Sequence, residues 1–145
     1  MGIELGRGSY IHTPARFYSL RRLSIGDYSV INDHCYIDNR KGITIGHNVN
    51  IAHNTRIYTL GHDVNSSSLP DLGASVVIED DVFIFSNVLI MPGVRIGKGA
   101  VVFPGSVVVK DVAPYTMVGG NPAKFVKDRA KLEYERKEYG FWFAQ

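Results

Sequence analysis

A six-residue beat constrains this chain more than any other feature. Stepping by six from Ile78 meets Ile84, Ile90, Ile96, Val102 and Val108. Stepping from Ile25 meets Ile31 and Ile37, and after two extra residues the series resumes at Ile45, Ile51 and Ile57. Ten of the 13 isoleucines fall in this register, yet only 37 of 145 residues are Ile, Leu or Val, so chance does not produce the series. Four residues after each aliphatic position stand Ser29, Cys35, Val49, Thr55, Gly61, Val82, Val88, Val94, Ala100, Ser106 and Val112, all small or medium-sized. Lys41, at the two-residue insertion, is the exception.

A helix would need recurrences at three and four, and these segments are rich in β-branched residues and glycine. A flat strand would alternate through a whole run. A period of six with two inward positions describes a short strand followed by a corner. Three such units close one coil of about eighteen residues, which predicts an all-β solenoid, a parallel β-helix. The register stacks Ile25, Ile45, Ile78 and Ile96 on one side, Ile31, Ile51, Ile84 and Val102 on the next, and Ile37, Ile57, Ile90 and Val108 on the third. Gly26, Gly46 and Gly97 follow their aliphatic residues, where permissive backbone suits a turn. The solenoid domain is assigned to residues 23–122. Residues 1–22 form an N-terminal cap, with a degenerate coil over 7–22 that includes Ile11 and Phe17.

Two segments leave the beat. Residues 61–77 carry Asn65-Ser66-Ser67-Ser68 and Pro70-Asp71-Leu72-Gly73 and read as a projecting loop. Residues 123–145 are assigned to a C-terminal α-helix, running to Tyr139 before Gly140, and an apolar Phe141-Trp142-Phe143 tail that docks on the core or a subunit.

Composition narrows the function classes. A single cysteine, Cys35, excludes an internal disulfide framework or a multi-cysteine metal site, and its inward slot makes it core filling. No run approaches eighteen apolar residues, so no membrane span is expected. The N-terminus shows no basic region followed by an apolar stretch, so a cytoplasmic location is expected. A net charge of +2 does not point to nucleic acid.

The hexads, the Gly61-His62-Asp63-Val64 loop entry and the Pro114-Tyr115…Gly119-Gly120-Asn121-Pro122-Ala123-Lys124 exit, in that order, resemble the hexapeptide-repeat acyltransferases. The similarity spans roughly residues 23–129. It is greatest to the maltose and galactoside O-acetyltransferases and to relatives in capsular and exopolysaccharide biosynthesis. The resemblance implies a left-handed coil, a homotrimer with active sites between subunits, and acetyl-CoA as donor. The hand comes from the resemblance alone, because ordinary parallel crossovers are right-handed.

Acetyl transfer to a hydroxyl needs a base, an oxyanion donor and a positioned acceptor. His62 matches the catalytic histidine, and imidazole titrates near neutrality. Asn32 matches an acceptor-site asparagine, whose amide both donates to and accepts from hydroxyls. The position of a second acceptor carboxylate falls on Arg40, with Asp38 two residues away as its substitute. Phe83 stands where relatives carry tryptophan and Phe85 where they carry glycine. The Ser86 backbone N–H matches an oxyanion donor. The donor groove is carried over to Pro104, Val109, Lys110, Gly120, Lys124 and Lys127, with Arg129 a further cation for the phosphates of CoA.

Three other readings stand beside this one: N-acetylation of an amino sugar, acetylation of an antibiotic, and a non-catalytic binding scaffold. Related solenoids carry zinc, but His47 and His53 are six apart and fall on successive sides, so no zinc site is expected with His34.

Overall fold

The computed structural model describes residues 2–136. The chain winds through five coils. The first holds β1 (Glu4–Leu5), β2 (Tyr10–Ile11) and β3 (Arg16–Phe17), and the second β4 (Leu23–Ile25), β5 (Val30–Ile31) and β6 (Tyr36–Asp38). The third holds β7 (Ile43–Ile45), β8 (Asn50–Ile51) and β9 (Arg56–Tyr58). An excursion follows, with β10 (Leu60–His62) and β11 (Asp71–Gly73). The fourth coil is β12 (Val76–Ile78), β13 (Phe83–Ile84) and β14 (Leu89–Ile90), and the fifth β15 (Arg95–Ile96), β16 (Val101–Val102) and β17 (Val107–Val108). A partial sixth turn places Val112 on Ile96 and β18 (Thr116–Gly119) on β16, before β19 (Lys124–Asp128).

Equivalent strands of successive coils pair in parallel, making three sheets. Side A has the order β1-β4-β7-β12-β15, side B β2-β5-β8-β13-β16-β18-β19, and side C β3-β6-β9-β14-β17. The predicted columns are the observed registers: Ile25↔Ile45 and Ile78↔Ile96 on side A, Ile31↔Ile51 and Ile84↔Val102 on side B, Ile37↔Ile57 and Ile90↔Val108 on side C. Eight of these isoleucines are fully buried, so each coil covers the apolar faces of its neighbours. The small slots are interior too, from Ser29 and Cys35 to Ala100 and Ser106. Gly61 is the exception: it lies on β10, half-buried, after the chain has left the solenoid. The N-terminal segment forms a full coil from Glu4, where Tyr10↔Val30 and Phe17↔Ile37 extend the columns.

The corners correct one expectation. Gly26, Gly46 and Gly97 do not supply left-handed backbone. They are required by close approach between coils. A Cβ on Gly26 would lie 2.7 Å from the Gly46 carbonyl carbon, and one on Gly97 would lie 2.6 Å from Pro114 N. The left-handed residue falls two positions later, at Tyr28, Asn48 and Gly99 on the A–B corner, and similarly at His34, Asn54, Asn87 and Gly105 on the B–C corner. Asn and Gly tolerate this region best, which explains their recurrence there.

At the C–A corner the two-residue insertion is filled by Asn39, which is fully buried. Its amide donates to Ser19 O (2.8 Å) and accepts from Ser19 N–H (3.1 Å), tying the first coil to the second.

Among the described residues the expected C-terminal helix is not formed. Within 123–136 the chain makes β19, antiparallel to β18 with Gly119↔Lys124 and Thr116↔Asp128, and then no regular structure. The open edge of side B offers backbone partners along its whole length, and Phe125 and Val126 suit a strand, so edge pairing overrides a modest helix propensity. The remainder of that segment and the Phe141-Trp142-Phe143 tail lie outside the described residues. No helix among the described residues is long and apolar enough to cross a membrane.

Candidate active site

The excursion read as a loop over 61–77 is an ordered β-hairpin. β10 and β11 pair as Leu60↔Gly73, Gly61↔Leu72 and His62↔Asp71, and the chain is back in the solenoid by Val76. Gly73 is necessary here, because a Cβ would lie 2.9 Å from Leu60 Cα. The tip closes through Asp63 N–H to Pro70 O (2.9 Å), Asn65 N–H to the Asp63 carboxylate (3.0 Å) and Leu69 N–H to Ser66 O (3.0 Å).

This hairpin fixes the state of His62. Its Nδ1 lies 3.1 Å from the Leu69 carbonyl, which only accepts, so Nδ1 carries the proton. In the neutral ring Nε2 is then the nitrogen with the free lone pair, and the ring is exposed. The Asp71 carboxylate stands 3.5 Å from Nδ1. Neither Leu69 nor Asp71 is marked in the sequence. Asp71 becomes legible only once it pairs across from His62 in a hairpin.

Asn32 begins the B–C corner of the second coil. Its Nδ2 donates to Ile51 O (3.0 Å), and the residue is half-buried. Ser86 lies on the same corner two coils on, and its backbone N–H has no acceptor among the described residues. Phe83 and Phe85 stand beside it with ring centroids 4.8 Å apart, and Phe85 stacks on Phe103 at 6.3 Å. Pro104 and Gly120 continue this corner toward the C-terminal end. Gly120 N–H donates to Ser106 Oγ (3.1 Å), and its O accepts from Val107 N–H (3.0 Å).

A different corner carries the remaining residues. Asp38, Arg40, the His62 hairpin, Val109 and Lys110 all lie where side C turns to side A. The two corners are a full side apart, about six residues or up to roughly 20 Å at ~3.3 Å per residue. Both hold acceptor candidates near the middle of the column and donor candidates near its C-terminal end. One chain does not bring Asn32 or Ser86 to His62. Two copies with these corners apposed would make a continuous groove.

Asp38 is buried, and both its oxygens are taken by Arg40: Nε at 2.9 Å and the terminal nitrogen at 2.7 Å. The Arg40 guanidinium holds this carboxyl below the ordinary carboxylate range, against the opposing effect of burial. Arg40 also lies 4.4 Å over the Tyr18 ring. It is the partly exposed arginine, and not the acid, that faces outward here.

Lys124 and Lys127 are exposed on β19, as is Lys110 at its corner. Arg129 is committed elsewhere: it donates to Asp81 O (2.7 Å) and Gly99 O (3.0 Å) and stacks on Tyr134. The other histidines have local roles. His47 Nδ1 accepts the Asp27 N–H (2.8 Å). His34 and His53 both bind Asp33, a contact that sequence spacing did not reveal, and the His53 bond foremost lowers that carboxyl's pKa. No group of three His, Cys, Asp or Glu among the described residues is placed to hold a metal ion. Burial pushes the Cys35 thiol up to about 11, which suits packing and not nucleophilic chemistry.

Comparison with known proteins agrees with this architecture. Residues 75–110 match the family described as bacterial transferase hexapeptide (six repeats). The chain superposes on a hexapeptide-repeat-containing acetyltransferase of Vibrio cholerae, complexed with acetyl coenzyme A, with a TM-score of 0.84 and 36% identity over 88% of this chain and 72% of that one. It superposes on a maltose O-acetyltransferase of Clostridium difficile with a TM-score of 0.84 and 32% identity, covering 88% and 70%. A 2,3,4,5-tetrahydropyridine-2,6-dicarboxylate N-acetyltransferase of Staphylococcus aureus is 45% identical over 69 residues, 48% of this chain but only 29% of that protein's length. The solenoid is thus of the left-handed parallel β-helix class. The chain belongs to the hexapeptide-repeat acetyltransferase family.

Proposed function

We propose that this chain transfers the acetyl group of acetyl-CoA to a sugar or saccharide hydroxyl, in one direct step without a covalent enzyme intermediate. The observation that carries the reading is the His62 Nδ1–Leu69 carbonyl bond, which leaves Nε2 as a base. Nε2 takes the acceptor's O–H proton as its oxygen attacks the thioester carbonyl carbon. The Ser86 N–H donates to the oxyanion that forms. Collapse expels the CoA thiolate, which recovers the proton from Nε2–H. Asn32 holds the acceptor, with Phe83 packed against it and the Asp38–Arg40 pair at its edge. Pro104, Val109 and Gly120 line the donor groove. Lys110, Lys124 and Lys127 supply charge for the phosphates of CoA. Arg129 has no part in this set.

The separation of the two corners in one chain supports sites shared between copies, and we read the functional unit as a homotrimer with each site between neighbours. The reaction belongs to the cytoplasm, where acetyl-CoA is available, and fits polysaccharide biosynthesis. No resident metal is required.

The test is thiol release from acetyl-CoA across a panel of sugars, nucleotide-sugars and amino sugars. His62→Gln is expected to bind acetyl-CoA while losing roughly a hundred- to ten-thousand-fold in turnover. Full activity in that variant refutes the base assignment. Thiol release with amino sugars or other amines alone makes the enzyme an N-acetyltransferase, a reading favoured by the likeness to the Staphylococcus aureus protein. Absence of both thiol release and acetyl-CoA binding makes it a scaffold.

A further inference from the structure

We infer that side C of the first three coils is a binding face for an anionic saccharide, a substrate class that rests on the transfer reading above. β3, β6 and β9 are adjacent and in register, so Arg16, Tyr36 and Arg56 form a row across the coils. At ~4.8 Å between strands the two arginine positions stand about 10 Å apart, close to the span of a disaccharide, with the Tyr36 ring between them. Tyr58 lies beside Tyr36 with ring centroids 5.8 Å apart. These side chains, with His34 and Asn54, line a cleft of about 550 Å³.

The electrostatics of this cleft are one-sided. Arg16 and Arg56 are exposed and have no carboxylate partner among the described residues. Asp33 and Asp38 are engaged elsewhere, Asp33 with His34 and His53 and Asp38 with Arg40. Two uncompensated guanidinium forks therefore face the cleft, each matched in shape to a carboxylate or a phosphate monoester. The tyrosine faces between them supply the flat apolar surface against which a sugar ring packs.

Position assigns the ligand. This face runs from the corner that starts at Asn32 to the point where the His62 hairpin departs, since β9 ends at Tyr58 and β10 begins at Leu60. A chain of sugars lying across it would lead from either edge to one acceptor-holding element, Asn32 or the His62 hairpin, each in a different site of the assembly. A saccharide bearing a carboxylate or phosphate uses both the rings and the charges, whereas a neutral one leaves the arginines unused.

The test is calorimetric titration of the full chain at low salt with three probes: a uronate-containing tetrasaccharide, its carboxyl-reduced neutral counterpart, and a single-stranded oligonucleotide of equal charge. The acidic saccharide is expected to bind at least about tenfold tighter than the neutral one. Arg16→Gln and Arg56→Gln should each weaken it roughly fivefold, and Arg16→Lys should weaken it less, since lysine keeps charge but not the fork. Unchanged thermal unfolding verifies that these exposed substitutions leave the fold intact. Equal binding of acidic and neutral saccharides overturns the inference, as does a charge preference that survives the double substitution. Oligonucleotide binding as tight as the acidic saccharide also overturns it, in favour of a general polyanion face. Full turnover in His62→Gln would remove the base assignment while leaving this charge discrimination in place, so the two failures are distinguishable.

Discussion

Arg40→Gln probes the most unusual corner of the molecule. In the folded chain the buried Asp38 carboxylate receives two charge-assisted bonds from the Arg40 side chain, at 2.9 and 2.7 Å, and one backbone N–H at 3.3 Å. Glutamine removes the two strong bonds and leaves the weakest. Stranding a fully buried carboxylate costs about 3–5 kcal/mol. This pair is sealed on the acid's side only, since 35% of the Arg40 side chain is exposed, so water relieves part of that cost. The expected loss is about 2–4 kcal/mol at neutral pH. Asp38→Asn should cost only about 1 kcal/mol, because an amide oxygen still accepts from Arg40 and the freed guanidinium reaches solvent. The pH dependence has a definite sign. The folded-state pKa of Asp38 is depressed, so the pair's contribution is full above the unfolded carboxyl pKa of about 3.9 and is lost as pH falls through the folded value. In Arg40→Gln burial is opposed only by the backbone N–H, so that pKa rises from its depressed value. The gap between native chain and variant therefore narrows as the solution is acidified. Urea unfolding followed by circular dichroism at pH 7 and pH 4, at one protein concentration, measures both effects. A loss below about 0.5 kcal/mol in Arg40→Gln, or a larger loss in Asp38→Asn, would refute the reasoning.

Two further predictions concern the column itself. Ile84→Ala empties a fully buried position stacked between Ile51 and Val102 and should cost about 3–4 kcal/mol in the same assay, whereas Ile11→Ala in the half-buried end coil should cost visibly less. Gly26→Ala should destabilise by at least about 2 kcal/mol, because its Cβ meets the Gly46 backbone and not a movable side chain; a neutral outcome would mean that the coils separate more readily than their hydrogen bonds indicate.

The depth of the solenoid was written into the chain. A period of six is a one-dimensional instruction: each aliphatic residue needs only the equivalent residue one coil away, so the registers of Ile25 through Val108 follow from counting. His62 and Asn32 become candidates for a related reason, since the beat locates the corners and the resemblance names the residues. The glycines at the A–B corner were legible as corner residues, but their purpose was not, because the clash they avoid is with a neighbouring coil.

What the sequence could not decide was every question settled by an edge or by a partner distant along the chain. Residues 124–128 are compatible with a helix by composition. They became a strand because side B ends in an open row of backbone donors and acceptors that another strand satisfies. The segment after Thr59 has the composition of a loop, yet it pairs with itself, and that pairing alone places Leu69 O and Asp71 against His62. Asp38 reads in the sequence as a free carboxylate, and only the fold pairs both its oxygens with Arg40. Local periodicity fixed the column, since its energetics are nearest-neighbour. The His62–Leu69 contact, the pairing of Asp38 with Arg40 and the separation of the candidate residues between two corners depend on three-dimensional contacts with no period to count.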